Sequence, residues 1–215
     1  SGFDPEFAIV AQSDRAHFYP TSKFMYIQLV ADKSTRRILG IQAMGENIDA
    51  VKARVDAVAA LLPHKADVEE ISCLEVCYAP PFASAMDIVN TAGNVLQNIL
   101  DGVQQGVSPK QFLQDFKNKK AKVVDVRSPE RAKSGQKLYG AENWMNIPLS
   151  QISERYTEVP DEENVYVYCN TGTTAYEAQN YLRSMGKENV KSVQGSYVVI
   201  KSLQPDFDPE NPDEV

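Results

Sequence analysis

The sequence predicts two domains in tandem: an α+β domain, then an α/β domain whose parallel sheet is flanked by helices. Three observations predict this. The first half opens on two strand-like runs and continues into amphipathic helical patterns. The second half alternates strand-like and helical segments, the grammar of a parallel sheet covered on both faces. Between them, Asp101-Gly-Val-Gln-Gln-Gly-Val-Ser108 holds two glycines and is followed by Pro109, a helix stop and then a helix start. The domains are accordingly placed at residues 8–102 and 103–204, with an acidic, proline-bearing tail at 205–215 read as disordered. Ser1 to Phe7 is set aside as outside the fold.

In the first domain, Phe24 to Ala31 and Arg37 to Met44 are strand-like, and the short polar segment Asp32 to Arg36 suits a hairpin. Asn47 to Leu62 is an amphipathic helix, with Ile48, Val51, Val55, Val58 and Leu62 at three- and four-residue spacing, ended by Pro63. Glu70 to Tyr78 is an extended candidate. Ala79-Pro80-Pro81-Phe82 is a stiff turn, since neither proline donates a backbone hydrogen bond. Ser84 to Leu100 reads as a second helix. In the second domain, Pro109 to Lys119 is helical, Lys122 to Val126 a buried strand, Ser128 to Lys133 a helical turn and Asn146 to Leu149 a short extended piece. Val165 to Tyr168 is a strand, Thr173 to Met185 a helix, Val190 to Val193 a strand and Tyr197 to Leu203 a final helix.

Composition narrows the function classes. Hydrophobic residues make up 43% of the 215 and charged residues 24%, as in soluble globular proteins. The formal charge of −7, with acids spread along the chain, argues against a nucleic-acid footprint. No apolar run reaches bilayer-spanning length, and no signal peptide is visible, so neither membrane nor export is expected. Three cysteines make no disulfide framework, which predicts a reducing, cytoplasmic setting. With only His17 and His64 as histidines, no metal site is expected.

Cys169 is the focal residue. It ends the run Val165-Tyr-Val-Tyr and precedes Asn170-Thr-Gly-Thr-Thr174 and a helical pattern. A thiol between a strand's carboxyl end and a helix's amino end faces free backbone N–H groups and the positive end of the helix dipole, which stabilise an anion. The reactive form of cysteine is the thiolate, itself an anion. Cys169 therefore reads as a nucleophile, with Asn170, Thr171, Gly172, Thr173 and Thr174 as its anion-binding loop; the competing reading is a buried structural cysteine. Cys73 and Cys77 are read on one face of a strand, as two buried small hydrophobes rather than a redox pair. Trp144 is read as core or interface.

Four short motifs occur in order over about Ser108 to Leu203: Val124-Asp125-Val126-Arg127, Gly140-Ala141 with Asn146-Ile147-Pro148-Leu149, Cys169-Asn170-Thr171-Gly172, and Gln194-Gly195-Ser196-Tyr197. They resemble the rhodanese family. The resemblance implies that Cys169 takes sulfane sulfur as a persulfide and passes it to a thiol acceptor. Asp125 and Arg127 are read as structural, tying the active loop to the strand end, with positive potential from Arg127 near the sulfur as the alternative. The loop carries no arginine, so a neutral or monoanionic sulfur donor fits better than the thiosulfate dianion. Protein tyrosine phosphatases and related arsenate reductases need an arginine six positions after the cysteine; Ala175 stands there.

The first half is similar to the dimerisation domain of pyridine nucleotide–disulfide oxidoreductases from about Ile9 to Gly102. The match rests on Phe18-Tyr19-Pro20, Arg37 to Gly45, and above all Cys77-Tyr-Ala-Pro-Pro-Phe-Ala-Ser-Ala-Met-Asp-Ile-Val-Asn-Thr-Ala-Gly93. It looks most like the branch of coenzyme A-disulfide reductases and NADH-dependent persulfide or polysulfide reductases, some of which carry a rhodanese domain after the dimerisation domain. The resemblance implies a homodimer, coenzyme A contacts from Tyr19 and Tyr78, and a parent enzyme using FAD and NAD(P)H on domains missing here. A dinucleotide site needs Gly-x-Gly-x-x-Gly, and no two of the 11 glycines lie two positions apart. The favoured function is sulfur transfer as the C-terminal portion of such a reductase. The alternative is a non-catalytic dimerisation and docking module with an inactive rhodanese fold.

Overall fold

The computed structural model describes residues 2–161 and 164–208. The chain divides between Val103 and Gln104 into two compact units.

The first unit is a three-stranded antiparallel sheet with helices on one face. Strands β1 (Pro5–Ser13), β2 (Phe24–Asp32) and β3 (Ile38–Gly45) pair in the order β1-β2-β3. Strand alternation sends Ala8 and Val10 of β1 and Met25, Ile27, Leu29 and Ala31 of β2 to the same buried side. Helix α1 (Ile48–Leu61), the short α2 (Val68–Ser72) and α3 (Ile88–Leu100) supply Val58, Val68, Ile71, Ile88, Val89, Ala92 and Leu96 to this core.

Several expectations for this unit change. Pro5 to Phe7, set aside on sequence, pair with Val30 to Asp32 and belong to the sheet. β1 was not legible because Ala, Gln and Ser interrupt it; its alternation emerges only opposite β2. Glu70 to Tyr78 is not extended throughout. Asp67 accepts from the Glu70 amide, and the Glu70 carboxylate accepts from the Asp67 amide. This capping box starts α2 and overrides the β-like run that follows it. Cys73 closes α2 and Cys77 lies in coil, and both are exposed rather than buried on a strand. Helix α3 starts at Ile88 rather than Ser84, because Asp87 caps it by accepting from the Val89 amide. Asp87 is also paired with buried Arg54, at 2.7 Å from Nη2, and that nitrogen donates to the carbonyls of Asp14 and Phe82.

The second unit is a five-stranded sheet, parallel throughout. Its strands and helices run β4 (Gly106–Val107), α4 (Pro109–Lys117), β5 (Lys122–Asp125), α5 (Pro129–Tyr139), β6 (Trp144–Asn146), α6 (Ile152–Arg155), β7 (Val165–Tyr168), α7 (Thr173–Ser184), β8 (Val190–Val193) and α8 (Ser196–Leu203). Spatial order is β4-β8-β7-β5-β6. Ser108 accepts from the Gln111 amide and Pro109 occupies the first turn of α4, as the Ser-Pro step predicts. Helix α5 is longer than the turn expected from Ser128 to Lys133. Gly135 lies inside it. It is required because the buried Trp144 ring lies 2.3 Å from where a Cβ would stand.

One core cluster joins Val124, Ile147, Val165, Val167, Ala175, Ala178, Leu182 and Val190. A second is aromatic, joining Phe112, Phe116, Tyr139, Trp144, Tyr166, Tyr168 and Phe207 through ring centroids 4.8–6.0 Å apart. Phe207 corrects the reading of the tail. Pro205–Phe207 form a 3₁₀ turn, and Phe207 and Asp208 are buried. A short segment with one aromatic residue looks disordered by composition, yet folds when a hydrophobic site and a cation await it. Residues 209–215 lie outside the described residues.

Candidate functional site

From β5 the chain moves through α5 outward to β6; from β7 it moves through α7 the other way, to β8. Adjacent strands whose connections depart in opposite directions leave a crevice at their carboxyl ends, where open α/β sheets bind ligands. Cys169 follows β7 immediately and stands at that crevice.

The loop around it is tied from both sides. The Gly172 amide donates to Cys169 Sγ at 3.1 Å. Gly172 is the N-cap of the 12-residue helix α7 and has φ 105°, a left-handed conformation that glycine adopts without penalty. The Cys169 amide donates to Ser196 Oγ at 3.2 Å, and that hydroxyl donates to the Val193 carbonyl at 2.9 Å. The Tyr197 and Val198 amides, at the start of α8, donate to the carbonyls of Cys169 and Asn170 at 3.1 and 3.0 Å. Carbonyls that would face the sulfur as negative dipoles are thus turned away to α8, while an amide is turned toward it. Cys169 itself is 1% exposed.

Of the five loop residues expected from sequence, the structure places Gly172 on the sulfur through its amide. Asn170 and Thr171 line the turn, and Thr173 and Thr174 open α7. Asp125 and Arg127 stand at the end of β5. Asp125 is fully buried and accepts from Arg127 Nε and Nη2, from the Arg127 amide at 3.0 Å, and from Trp144 Nε1 at 3.0 Å. Asn146 donates to the carbonyls of Asp125 and Arg127, holding this turn against β6. The Arg127 guanidinium carbon lies 4.9 Å from the Tyr168 ring and 5.1 Å from the Tyr197 ring. Burial alone would favour loss of its proton, but hydrogen bonding and charge from Asp125, with charge from Asp208, outweigh that and raise its pKa further. Tyr168 is held well above its ordinary value by burial, then by the charge of Asp208.

Two residues of the site escaped the sequence reading. Ser196, fully buried and at φ 40°, braces the Cys169 amide. Arg131, exposed on α5, donates from Nη1 to Asn170 Oδ1 at 3.5 Å. The loop has no arginine of its own, but a guanidinium reaches its edge from another element. Ser196 was visible only as part of a motif, and Arg131 lies 39 residues away in sequence.

Tyr19 and Tyr78 belong to the first unit. The Ala16 amide donates to the Pro80 carbonyl at 3.2 Å, which sets the loop bearing Tyr19 beside the turn after Tyr78. Tyr78 is 53% exposed, and Phe18 and Phe82 are exposed nearby along the same segments. A cleft of about 630 Å³ lined by His17, Lys23, Phe24, Tyr26 and Met44 opens in this unit; neither tyrosine lines it. Among the described residues no group of three or more His, Cys, Asp or Glu side chains is placed to hold a metal, and no helix is long and apolar enough to cross a membrane. For a flavin or nicotinamide dinucleotide the fit fails. The turns leaving β5, β7 and β8 are Val126 to Ser128, Cys169 to Gly172 and Gln194-Gly195, none with the paired glycines that admit a pyrophosphate.

Residues 6–89 match the pyridine nucleotide-disulphide oxidoreductase dimerisation domain, and residues 108–203 match the rhodanese-like domain. The chain is similar to the NAD(P)H sulfur oxidoreductase (CoA-dependent) of Pyrococcus abyssi, 35% identical over 96 residues, covering 45% of this chain and 21% of the relative. It is similar to the coenzyme A disulfide reductase of Staphylococcus aureus, 31% identical over 91 residues, covering 42% and 20%. Among solved structures it resembles the reduced CoADR-RHD of Bacillus anthracis, with TM-score 0.81 and 29% identity over 95% of this chain and 35% of that one. It also resembles a NAD-dependent persulfide reductase from A. fulgidus, with TM-score 0.77 and 30% identity over 91% and 34%. The aligned part thus spans about a fifth of these curated relatives and about a third of these solved chains. The chain joins a pyridine nucleotide-disulphide oxidoreductase dimerisation domain to a rhodanese-like domain that carries Cys169 between β7 and α7.

Proposed function

We propose that the second domain transfers sulfane sulfur through a persulfide on Cys169. The Cys169 thiolate attacks the outer sulfur of a donor R–S–S⁻, forming Cys169–S–S⁻ and releasing RS⁻. An acceptor thiolate then attacks the outer sulfur, and the Cys169 thiolate leaves. Each step exchanges one S–S bond for another and conserves charge. The observation that carries the reading is the Gly172 amide, 3.1 Å from Sγ at the amino end of α7. It is a donor aimed at the atom that is anionic before and after transfer. Arg131 beside Asn170 favours an anionic donor, since its exposed guanidinium can meet a polysulfide or persulfide.

By similarity to reductases of coenzyme A disulfide and persulfide, the parent enzyme would place this sulfur beside a flavin and nicotinamide site held on other domains, act as a cytoplasmic homodimer, and contact coenzyme A through Tyr78 and Tyr19. No step here passes through FAD or NAD(P)H, because the residues present do not fit either.

The test is intact mass after incubation with polysulfide and removal of excess reagent. We expect a gain of one sulfur, lost with dithiothreitol and absent in Cys169→Ser. The 1% exposure of Cys169 favours a second reading, a non-catalytic docking module with a buried structural thiol. Absence of the adduct would establish that reading in place of the first.

A further inference from the structure

Residues 204–208 form a strap beyond α8, packed onto the second domain. The Phe207 ring lies 5.3–5.8 Å from the rings of Phe112, Phe116, Tyr139 and Trp144, and its carbonyl accepts from Tyr139 Oη at 2.5 Å. Asp208, 2% exposed, accepts from Arg127 Nη2 at 2.7 Å and from the Ser134 hydroxyl. We propose that this strap is a working part of the sulfur site. Asp208 is the positioning residue that fixes Arg127, and through it the rings of Tyr168 and Tyr197, whose backbones adjoin Cys169.

Charge balance argues that Asp208 does more than anchor a terminus. Asp125 already pairs Arg127 through two nitrogens, so one positive charge is matched before Asp208 arrives. Adding a second buried carboxylate leaves the trio with excess negative charge, which is costly to bury. The cost shows in Asp208 itself, whose pKa burial raises above the ordinary value although Arg127 and Ser134 pull it down. A second carboxylate on the same nitrogen does something an apolar residue cannot: it holds Arg127 Nη2 alongside Asp125 and further restrains the guanidinium.

That orientation matters because both residues whose rings lie against it are joined to Cys169 through the backbone. Tyr168 is the residue before Cys169, and the Tyr197 amide holds the Cys169 carbonyl. A guanidinium free to turn would let both rings shift, and with them the loop that aims the Gly172 amide at sulfur. The inference rests on the sulfur-transfer reading for its purpose, but not for its measurement.

The experiment compares the full chain with Asp208→Asn and Asp208→Glu. Alkylation of Cys169, Cys73 and Cys77 by iodoacetamide is followed separately by peptide mass. Cys73 and Cys77 are exposed thiols of the other unit and serve as internal controls. In Asp208→Asn we expect Cys169 to alkylate at least about threefold faster as its loop loosens, with Cys73 and Cys77 unchanged. Sulfur uptake from polysulfide should slow at the same time, and Asp208→Glu should restore both. Emission from Trp144, the only tryptophan, reports whether the strap has moved. An unchanged Cys169 rate would overturn the proposal, as would equal acceleration at all three thiols. If Asp208→Asn does not fold, Phe207→Leu loosens the strap while leaving the charges in place, and the same pattern of rates decides. Alkylation requires no sulfur donor. A wild type that alkylates as expected but takes up no sulfur refutes sulfur transfer and leaves the strap's role standing.

Discussion

Cys169 Sγ receives a backbone amide through a conformation that glycine alone takes cheaply. Gly172 at φ 105° turns its amide onto Sγ, and a Cβ there would meet the Gly195 amide at 3.2 Å. For other residues a left-handed conformation costs about 1–2 kcal/mol. Gly172→Ala should therefore lower stability by about that much. Persulfide formation should slow at least about fivefold, as expected for loss of about 1 kcal/mol at the transition state; single-turnover uptake followed by mass measures it. An unchanged rate would mean that the Gly172 amide does not stabilise the reacting sulfur. The placement of Cys169 and its loop between strand and helix was legible in sequence because strand, cysteine and helix are contiguous. Ser196 and Arg131 were not legible as site residues, because nothing local marks a hydroxyl 27 positions away as the brace of an amide, or a helix arginine as neighbour of the loop.

Among the elements, the hairpin of β2 and β3 is reinforced by one carboxylate. Asp32 accepts from the hydroxyls of Ser34 and Thr35 and from the amides of Asp4 and Thr35. These bonds, the Ser34 hydroxyl foremost, hold its pKa well below the ordinary 3.8. A depressed carboxylate contributes stability that is present above 3.8 and is lost as pH falls below it. Asp32→Asn should flatten the acid branch of the first unit's stability, measured by far-UV circular dichroism between pH 5 and pH 2, a window of about the usual carboxylate range. An acid branch of unchanged slope would show that Asp32 carries none of it. In α5, two effects compete at Gly135→Ala. Helix propensity favours alanine by about 1 kcal/mol. The Cβ would stand 2.3 Å from a fully buried tryptophan ring, and overpacking of that kind costs about 1–3 kcal/mol or more. Overpacking should win, and the thermal midpoint should fall; a rise would mean that the Trp144 ring has room to move. The extended reading of Glu70 to Tyr78 failed for an equally local reason, a capping box whose two bonds outweigh the β propensity of the residues after it.

On the scale of the whole molecule, each unit has its own core, and the only tryptophan belongs to the second. The acid-induced change caused by Asp32→Asn should therefore appear in circular dichroism but leave the Trp144 emission profile where it was. A matching shift in both signals would show that the units unfold together. Arg54 supports the same separation of parts. Paired with Asp87 and bonded to the Asp14 and Phe82 carbonyls, it binds the segment carrying Phe82 to α1 and α3 within the first unit. Arg54→Met would leave Asp87 buried without its charge partner, a loss of about 3–5 kcal/mol, visible as a lower denaturation midpoint in circular dichroism. A midpoint unchanged within error would show that solvent reaches Asp87.

The sequence by itself determined the two-domain plan, the parallel sheet of the second unit, most strand and helix positions there, and the place of Cys169 between strand and helix. These are written in hydrophobic period, in Ser-Pro and glycine punctuation, and in order along the chain, all of which act between near neighbours. Tertiary structure alone decided that residues 5–7 complete a sheet, that Arg131 reaches the Asn170 side chain, that Ser196 braces the Cys169 amide, and that Asp208 returns to Arg127 across 81 positions. Each of these is a contact between distant segments. Its energy comes from burial and from pairing of charges that exist only once the chain has closed, so no local pattern announces it.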